Sequence, residues 1–161
     1  MIYLDYSATT PVDPEILKEY IKTTTLFIGN PNSIHRMGKL SKNKLEFSIS
    51  IICRIFNCNE NELIFTSGAS ESNATASRGI ANEFNKKGKH IITSKLEHSS
   101  ILNEMERLVK LGYEVDYVKI LDDGQIDIND LENKIRQDTI LVSVCAVNSE
   151  VGYKQDLYKI R

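Results

Sequence analysis

The chain has few cysteines. Cys53, Cys58 and Cys145 are an odd set among 161 residues, and no two form a Cys-x-x-Cys pair. That argues against a disulfide framework or a zinc site and for reduced, cytosolic thiols. Neither sign of charge is in surplus: 20 basic residues face 22 acidic ones, for a net charge of −2. The basic residues are scattered among acids, as on solvated helix faces, so no nucleic-acid footprint is expected. No long apolar run occurs either. The greasiest window, Ile49 to Phe56, is interrupted by Ser50 and Arg54, far short of the roughly 18–20 apolar residues a membrane span needs. The opening Met-Ile-Tyr-Leu-Asp-Tyr lacks the basic segment and apolar run of a signal peptide. Internal repeats and low-complexity stretches are absent too. These absences predict a soluble cytoplasmic protein with neither membrane nor nucleic-acid partners, and the length allows one core or part of one.

What is present alternates between helix and strand signals. Asp13-Pro14-Glu15 is a helix entry, with a capping Asp, a first-turn Pro and an acid near the dipole, and predicts a helix to about Leu26. Asn32 or Ser33 is the expected cap of a second helix running to about Phe56. Its Leu45, Ile49, Ile52 and Phe56 fall at helical spacing. Short apolar runs at Leu63–Thr66, His90–Thr93 and Ile140–Cys145 read as strands, and Glu114–Lys119 alternates as another. Amphipathic helices are expected over Ser70–Lys87 and Ser99–Leu111, each followed by a glycine, and Asn129 with Glu132 resembles a capping box for a helix to about Arg136. The pattern predicts an α/β fold with a mostly parallel sheet and helices on both faces, binding ligands beyond the carboxyl ends of its strands. The ending Asp156–Arg161 reads as the first turns of a helix cut short, so the chain is expected to be a fragment or a subunit completed by another chain.

Three polar segments follow predicted strands. Thr66-Ser67-Gly68-Ala69-Ser70 reads as a strand–turn–helix that aims backbone N–H groups at an anion, or equally as a well-capped helix start. It is no P-loop, because no Gly-Lys-Ser/Thr follows, and GxGxxG is absent. His98, in Lys95–Ser100, would lie at the carboxyl end of its strand, where an imidazole can stack on a flat ring or shuttle a proton. The plainer reading is a surface histidine capping the next helix, and His35 and His90 receive that reading alone. Val147–Gly152 is either a ligand-contacting loop or a turn chosen for Asn and Gly.

These segments occur in order with Tyr3–Pro11, Gly29–His35, Gly88–Ser94 and Asp138–Ser143. Together they resemble the N-terminal part of cysteine desulfurases, pyridoxal 5'-phosphate transferases of the class V aminotransferase group. The resemblance runs along essentially the whole chain. It implies a type I pyridoxal phosphate-dependent transferase fold and the family's usual homodimer. Residues 15–161 would form an incomplete first half of the large cofactor-binding domain, and residues 1–14 a segment associated with the small domain. By that likeness Ala69 and Ser70 hold the cofactor phosphate, Ser70 standing where the family usually has Thr and keeping its hydroxyl. His98 matches the histidine that stacks on the ring and assists proton transfers, the catalytic member of the set. Ser149 stands where the family has a second Asn approaching the ring's phenolic oxygen, so that contact is expected to be weakened or replaced by water. Ala146 stands where relatives often carry His.

The family's Ser-x-His-Lys segment, whose lysine attaches the cofactor, does not occur. Lys95 and Lys154 lie near the right loops, but nothing in the sequence suggests a desolvated amine. Cys53, Cys58 and Cys145 do not match the cysteine that accepts sulfur and read as packed thiols. The resemblance therefore implies part of an enzyme that takes sulfur from L-cysteine, releasing L-alanine and leaving an enzyme persulfide. The sulfur would go to an acceptor or scaffold protein in iron–sulfur cluster or thio-cofactor assembly. The chain alone is expected to be inactive. Alternatives are another class V lyase or aminotransferase such as a selenocysteine lyase, a non-catalytic truncated paralogue, or one subunit of a split enzyme.

Overall fold

The computed structural model describes residues 2–161, which divide into two compact units, one ending at Phe65 and one spanning Thr66–Arg161. In the first, α1 (Pro14–Leu26) starts as the sequence implies: the Asp13 carboxylate accepts from the amides of Glu15 and Ile16 at 2.8 and 3.3 Å. Helix α2 (Arg36–Phe56) begins later than expected and is capped by His35, whose Nδ1 accepts from the Gly38 amide at 3.2 Å. Neither Asn32 nor Ser33 caps it: both lie in a turn, their amides donating to Asn30, and the helix starts only at Arg36. Asn57, in the left-handed region at φ 51°, ends the helix, and a 3₁₀ turn Glu60–Glu62 follows. The expected strand at Leu63–Thr66 does not form. Leu63 is extended, but the segment pairs with no neighbour, and Ile64 and Phe65 stand 70% and 62% exposed. An apolar run sets backbone extension, whereas a strand also needs a partner to satisfy its ladder.

The second unit is built on a parallel three-stranded sheet in the order β2–β1–β3, with β1 His90–Ser94, β2 Glu114–Val118 and β3 Thr139–Ser143. Central strand β1 is buried along its whole length, as its near-continuous apolar run requires of a strand covered on both faces. Alternation sends Ile91 to one face and Ile92 to the other. Ile91 packs with Ala81 of α3 (Ala69–Phe84) and with Ile101, Met105 and Leu108 of α4 (Ser99–Lys110). Ile92 packs with Val118, Ile126 and Leu131 of α5 (Ile128–Lys134). Helices therefore cover both faces, as expected. A short α6 (Leu157–Ile160) closes the described chain.

Helix α5 is capped by Asp127, whose carboxylate accepts from the amides of Asn129 and Asp130, so the Asn129–Glu132 box is not used. The box geometry appears at Asn59 and Glu62 instead, where the Glu62 carboxylate accepts from both amides of Asn59. His90 is no surface cap: it is fully buried at the start of β1, its Nδ1 2.8 Å from the Thr139 hydroxyl and its Nε2 3.4 Å from Asp116. Gly88, just before β1, is required by close approach, since a Cβ there would overlap the Asp138 carbonyl. No helix among the described residues is long and apolar enough to cross a membrane.

Candidate active site

The loops after β1 and β3 meet at the carboxyl end of the sheet, where Lys95–Ser99, Leu102, Cys145 and Asn148–Glu150 line a cavity of about 380 Å³. His98 and Ser149, two of the four candidate residues, both line it. His98 also caps α4, its Nδ1 accepting from the Ser100 amide at 3.1 Å. His98 thus caps α4 and lines the cavity at once.

Asn148 organises the facing loop. Its Oδ1 accepts from the amides of Glu150 and Val151, and its Nδ2 donates to the Leu96 carbonyl at 2.9 Å, tying the two loops together. That leaves Ser149 exposed on the rim. Cys145 lines the same cavity, its thiol donating to the Val147 carbonyl at 2.9 Å, while Cys53 is buried in α2. Lys95 is exposed, so it has none of the burial that activates an amine.

Glu97 is the member that sequence reading missed. It is buried beside His98 and accepts from the Ser94 hydroxyl at 3.2 Å and from the Cys145 amide, joining the ends of β1 and β3. Burial pushes its carboxyl above the usual range, and these two hydrogen bonds only partly oppose that. An acid beside a histidine gives no burial signal in sequence. The available clue was its place just past a strand too apolar to have an exposed face.

Ala69 and Ser70 do not line the cavity. They form the first turn of α3, where Gly68 is the cap residue and no side chain caps the helix. Glu71, the obvious competitor for the free amides, is turned back onto Ser67. Its carboxylate accepts from the Ser67 amide and hydroxyl, both at 2.7 Å, and these bonds hold it below the usual carboxylate range. The Thr66 hydroxyl is spent on Ser72 and on the Gly68 carbonyl. The first-turn amides of a 16-residue helix thus remain open, with the dipole's positive end behind them, which is what a phosphate group requires. One turn on, Asn73 donates to the Ser100 hydroxyl at 2.8 Å, linking this helix start to the residue that caps onto His98. No cluster of metal-ligating side chains occurs among the described residues.

A model of the aminotransferase class-V family matches residues 2–161. Among curated proteins, the cysteine desulfurase IscS of Proteus mirabilis is 44% identical over 99% of the chain, and that of Salmonella paratyphi B 45% over the same share. The chain spans 40% of the length of each. Among solved structures, a NifS-like protein matches at TM-score 0.90 and 34% identity, covering 96% of this chain and 42% of its own. A structure described as SspA in complex with cysteine matches at 0.89 and 32%, covering 98% and 46%.

Proposed function

The chain belongs to the class-V aminotransferase family, among its cysteine desulfurases, and from that premise we propose that it forms the phosphate- and ring-binding part of a pyridoxal 5'-phosphate-dependent desulfurase. The observation that carries this reading is the uncapped first turn of α3, whose amides are left open because Glu71 is held by Ser67. Ala69 and Ser70 would hold the phosphate through backbone N–H groups and the Ser70 hydroxyl. When bound, the cofactor supplies the electron sink that weakens bonds at the amino acid's α-carbon. From its place on the cavity wall His98 would cover the ring and hold or move a proton. Ser149, a short hydroxyl on the exposed rim, reaches less far toward a ring oxygen than the family's Asn.

The substrate of the whole enzyme would be L-cysteine, a reading supported by the structural relative described in complex with cysteine. Its sulfur would pass through an enzyme persulfide to an acceptor protein for iron–sulfur cluster or thio-cofactor assembly. The 161-residue chain holds no Ser-x-His-Lys segment to attach the cofactor, and by itself it should release no alanine.

Equilibrium binding of pyridoxal phosphate to the purified chain tests the reading. Inorganic phosphate should compete, and Ser70→Ala should weaken binding about ten-fold, the size of one charge-assisted hydrogen bond. Binding indifferent to phosphate and to Ser70→Ala would overturn the site. Alanine release from L-cysteine by the chain alone would overturn its inactivity.

A further inference from the structure

His98 is the end of a chain of donors that begins one turn inside α3. Asn73 Nδ2 donates to Ser100 Oγ at 2.8 Å, and Ser100 Oγ lies 2.8 Å from His98 Nδ1. The backbone N–H of Ser100 also points at that same nitrogen, at 3.1 Å. The amide contact settles the direction. A backbone N–H can only donate, so Nδ1 must present its lone pair, since a proton there would face the amide proton. With Nδ1 an acceptor, the Ser100 hydroxyl donates to it and uses an oxygen lone pair to accept from Asn73. The single Nδ1 lone pair is then shared by the Ser100 amide and hydroxyl, and the sequence of donors runs one way from α3 to the ring.

We infer that Asn73 and Ser100 are positioning residues that fix the neutral His98 imidazole as the Nε2–H tautomer, so that the ring meets its ligand as a hydrogen-bond donor. Among the described residues Nε2 has no hydrogen-bond partner, while the ring lines the cavity shared with Glu97, Cys145 and Ser149. The ligand group facing that nitrogen is therefore an acceptor: a carboxylate, a phenolic oxygen or a carbonyl. Because Asn73 lies on the helix whose first turn is the phosphate site, the same helix that would seat the phosphate also sets which ring nitrogen carries the proton. The consequence for the reaction rests on the function proposed above, but the tautomer itself does not.

The nitrogen shifts of the ¹⁵N-labelled full chain, without ligand, decide it. At alkaline pH, where the imidazole is neutral, a two-bond ¹H–¹⁵N correlation should show an unprotonated Nδ1 and a protonated Nε2 for His98. The chain has three histidines, and the signals lost in His98→Gln assign the ring. Ser100→Ala should lower the Nε2–H to Nδ1–H ratio about five-fold, the contribution of one neutral hydrogen bond. Ser100→Thr, which keeps the hydroxyl, should restore it, and Asn73→Ala should move it the same way by less. Buried His90, bonded to Thr139 at the opposite end of β1, reports on an intact fold and should stay unmoved. A proton on Nδ1 in the parent chain overturns the inference. So do unmoved His98 nitrogens in Ser100→Ala, or failure of Ser100→Thr to restore the ratio. Loss of cofactor binding with the tautomer intact would count against the proposed function alone.

Discussion

Helix α2 has 21 residues and buries only Gly38, Ser41 and Cys53, whereas α4 has 12 and buries Ile101, Glu104, Met105 and Leu108. The same contrast runs through the two units. In the unit ending at Phe65, α1 buries nothing, and Tyr20, Ile55 and Phe56 stand 66%, 73% and 73% exposed. In Thr66–Arg161 two apolar clusters form on opposite faces of one strand. Both units carry amphipathic helices, so periodicity does not separate them. What separates them is a sheet: β1 offers Ile91 and Ile92 as a surface on each side, and a helix stripe becomes a core only when it has such a surface to cover. Stability measured on this chain should therefore reside in the second unit. The sharpest test pairs Ile91→Ala and Met105→Ala with Phe56→Ala. The first two should each cost about 2–5 kcal/mol in urea unfolding. Phe56→Ala should stay within about 0.5 kcal/mol. Equal losses on the two sides would break the comparison.

A smaller effect separates two glycines within the sheet-based unit. At Gly88 the backbone passes against Asp138, so a Cβ would collide with main chain that cannot swing away. Gly88→Ala should cost about 1–3 kcal/mol. Gly79, inside α3, has open space around its missing Cβ, and Gly79→Ala should stabilise by about 0.5–1 kcal/mol through helix propensity. Opposite signs in thermal unfolding would show that close approach at the strand entry, and not glycine content, is what the sheet demands. Two changes of the same sign would refute that.

Where the sequence was readable follows the same division. Strand β1, its neighbours β2 and β3 and helix α4 announce themselves because burial on a sheet leaves an unbroken apolar run or a clear stripe. The run Leu63–Thr66 shares with β1 a short apolar stretch ending in threonine, yet it pairs with nothing, because a pairing partner is not a property of the segment. The capping residues His35 and Asp127 displaced better-looking candidates because the helices start elsewhere than the pattern suggests: α2 begins after the turn that holds Asn32 and Ser33, and α5 begins before Asn129. At the candidate site, His98 and Ser149 could be placed by their positions after strands, and the structure brings them to one cavity. Glu97 and the Asn73–Ser100 link could not. Each depends on a partner 27 or more residues away, which local pattern does not encode.

Two acids carry the contrast between the units into pH dependence. Glu19, exposed on α1, is held below the usual carboxylate range chiefly by its hydrogen bond to Lys22, 3.0 Å away. Its contribution is present at neutral pH and lost as the pH falls through its lowered pKa. Glu97 behaves oppositely. Burial raises its pKa in the folded state, so the fold binds that proton more tightly than the unfolded chain does. The resulting stabilisation is complete below the ordinary glutamate pKa of about 4.3 and disappears as the pH rises through the raised value. Once ionised, the carboxylate is a buried charge with no cation among its hydrogen-bond partners, which are Ser94 and Cys145. Glu97→Gln keeps an acceptor oxygen for both and removes the charge. It should leave stability near pH 4 unchanged and raise it by about 1 kcal/mol once the pH has passed the raised value, the order of a single-site effect. Urea midpoints taken across that interval would then fall with pH in the parent relative to the variant. A variant that tracks the parent at every pH would show that the two hydrogen bonds already offset the desolvation, and that burial in the sheet-based unit costs this acid nothing.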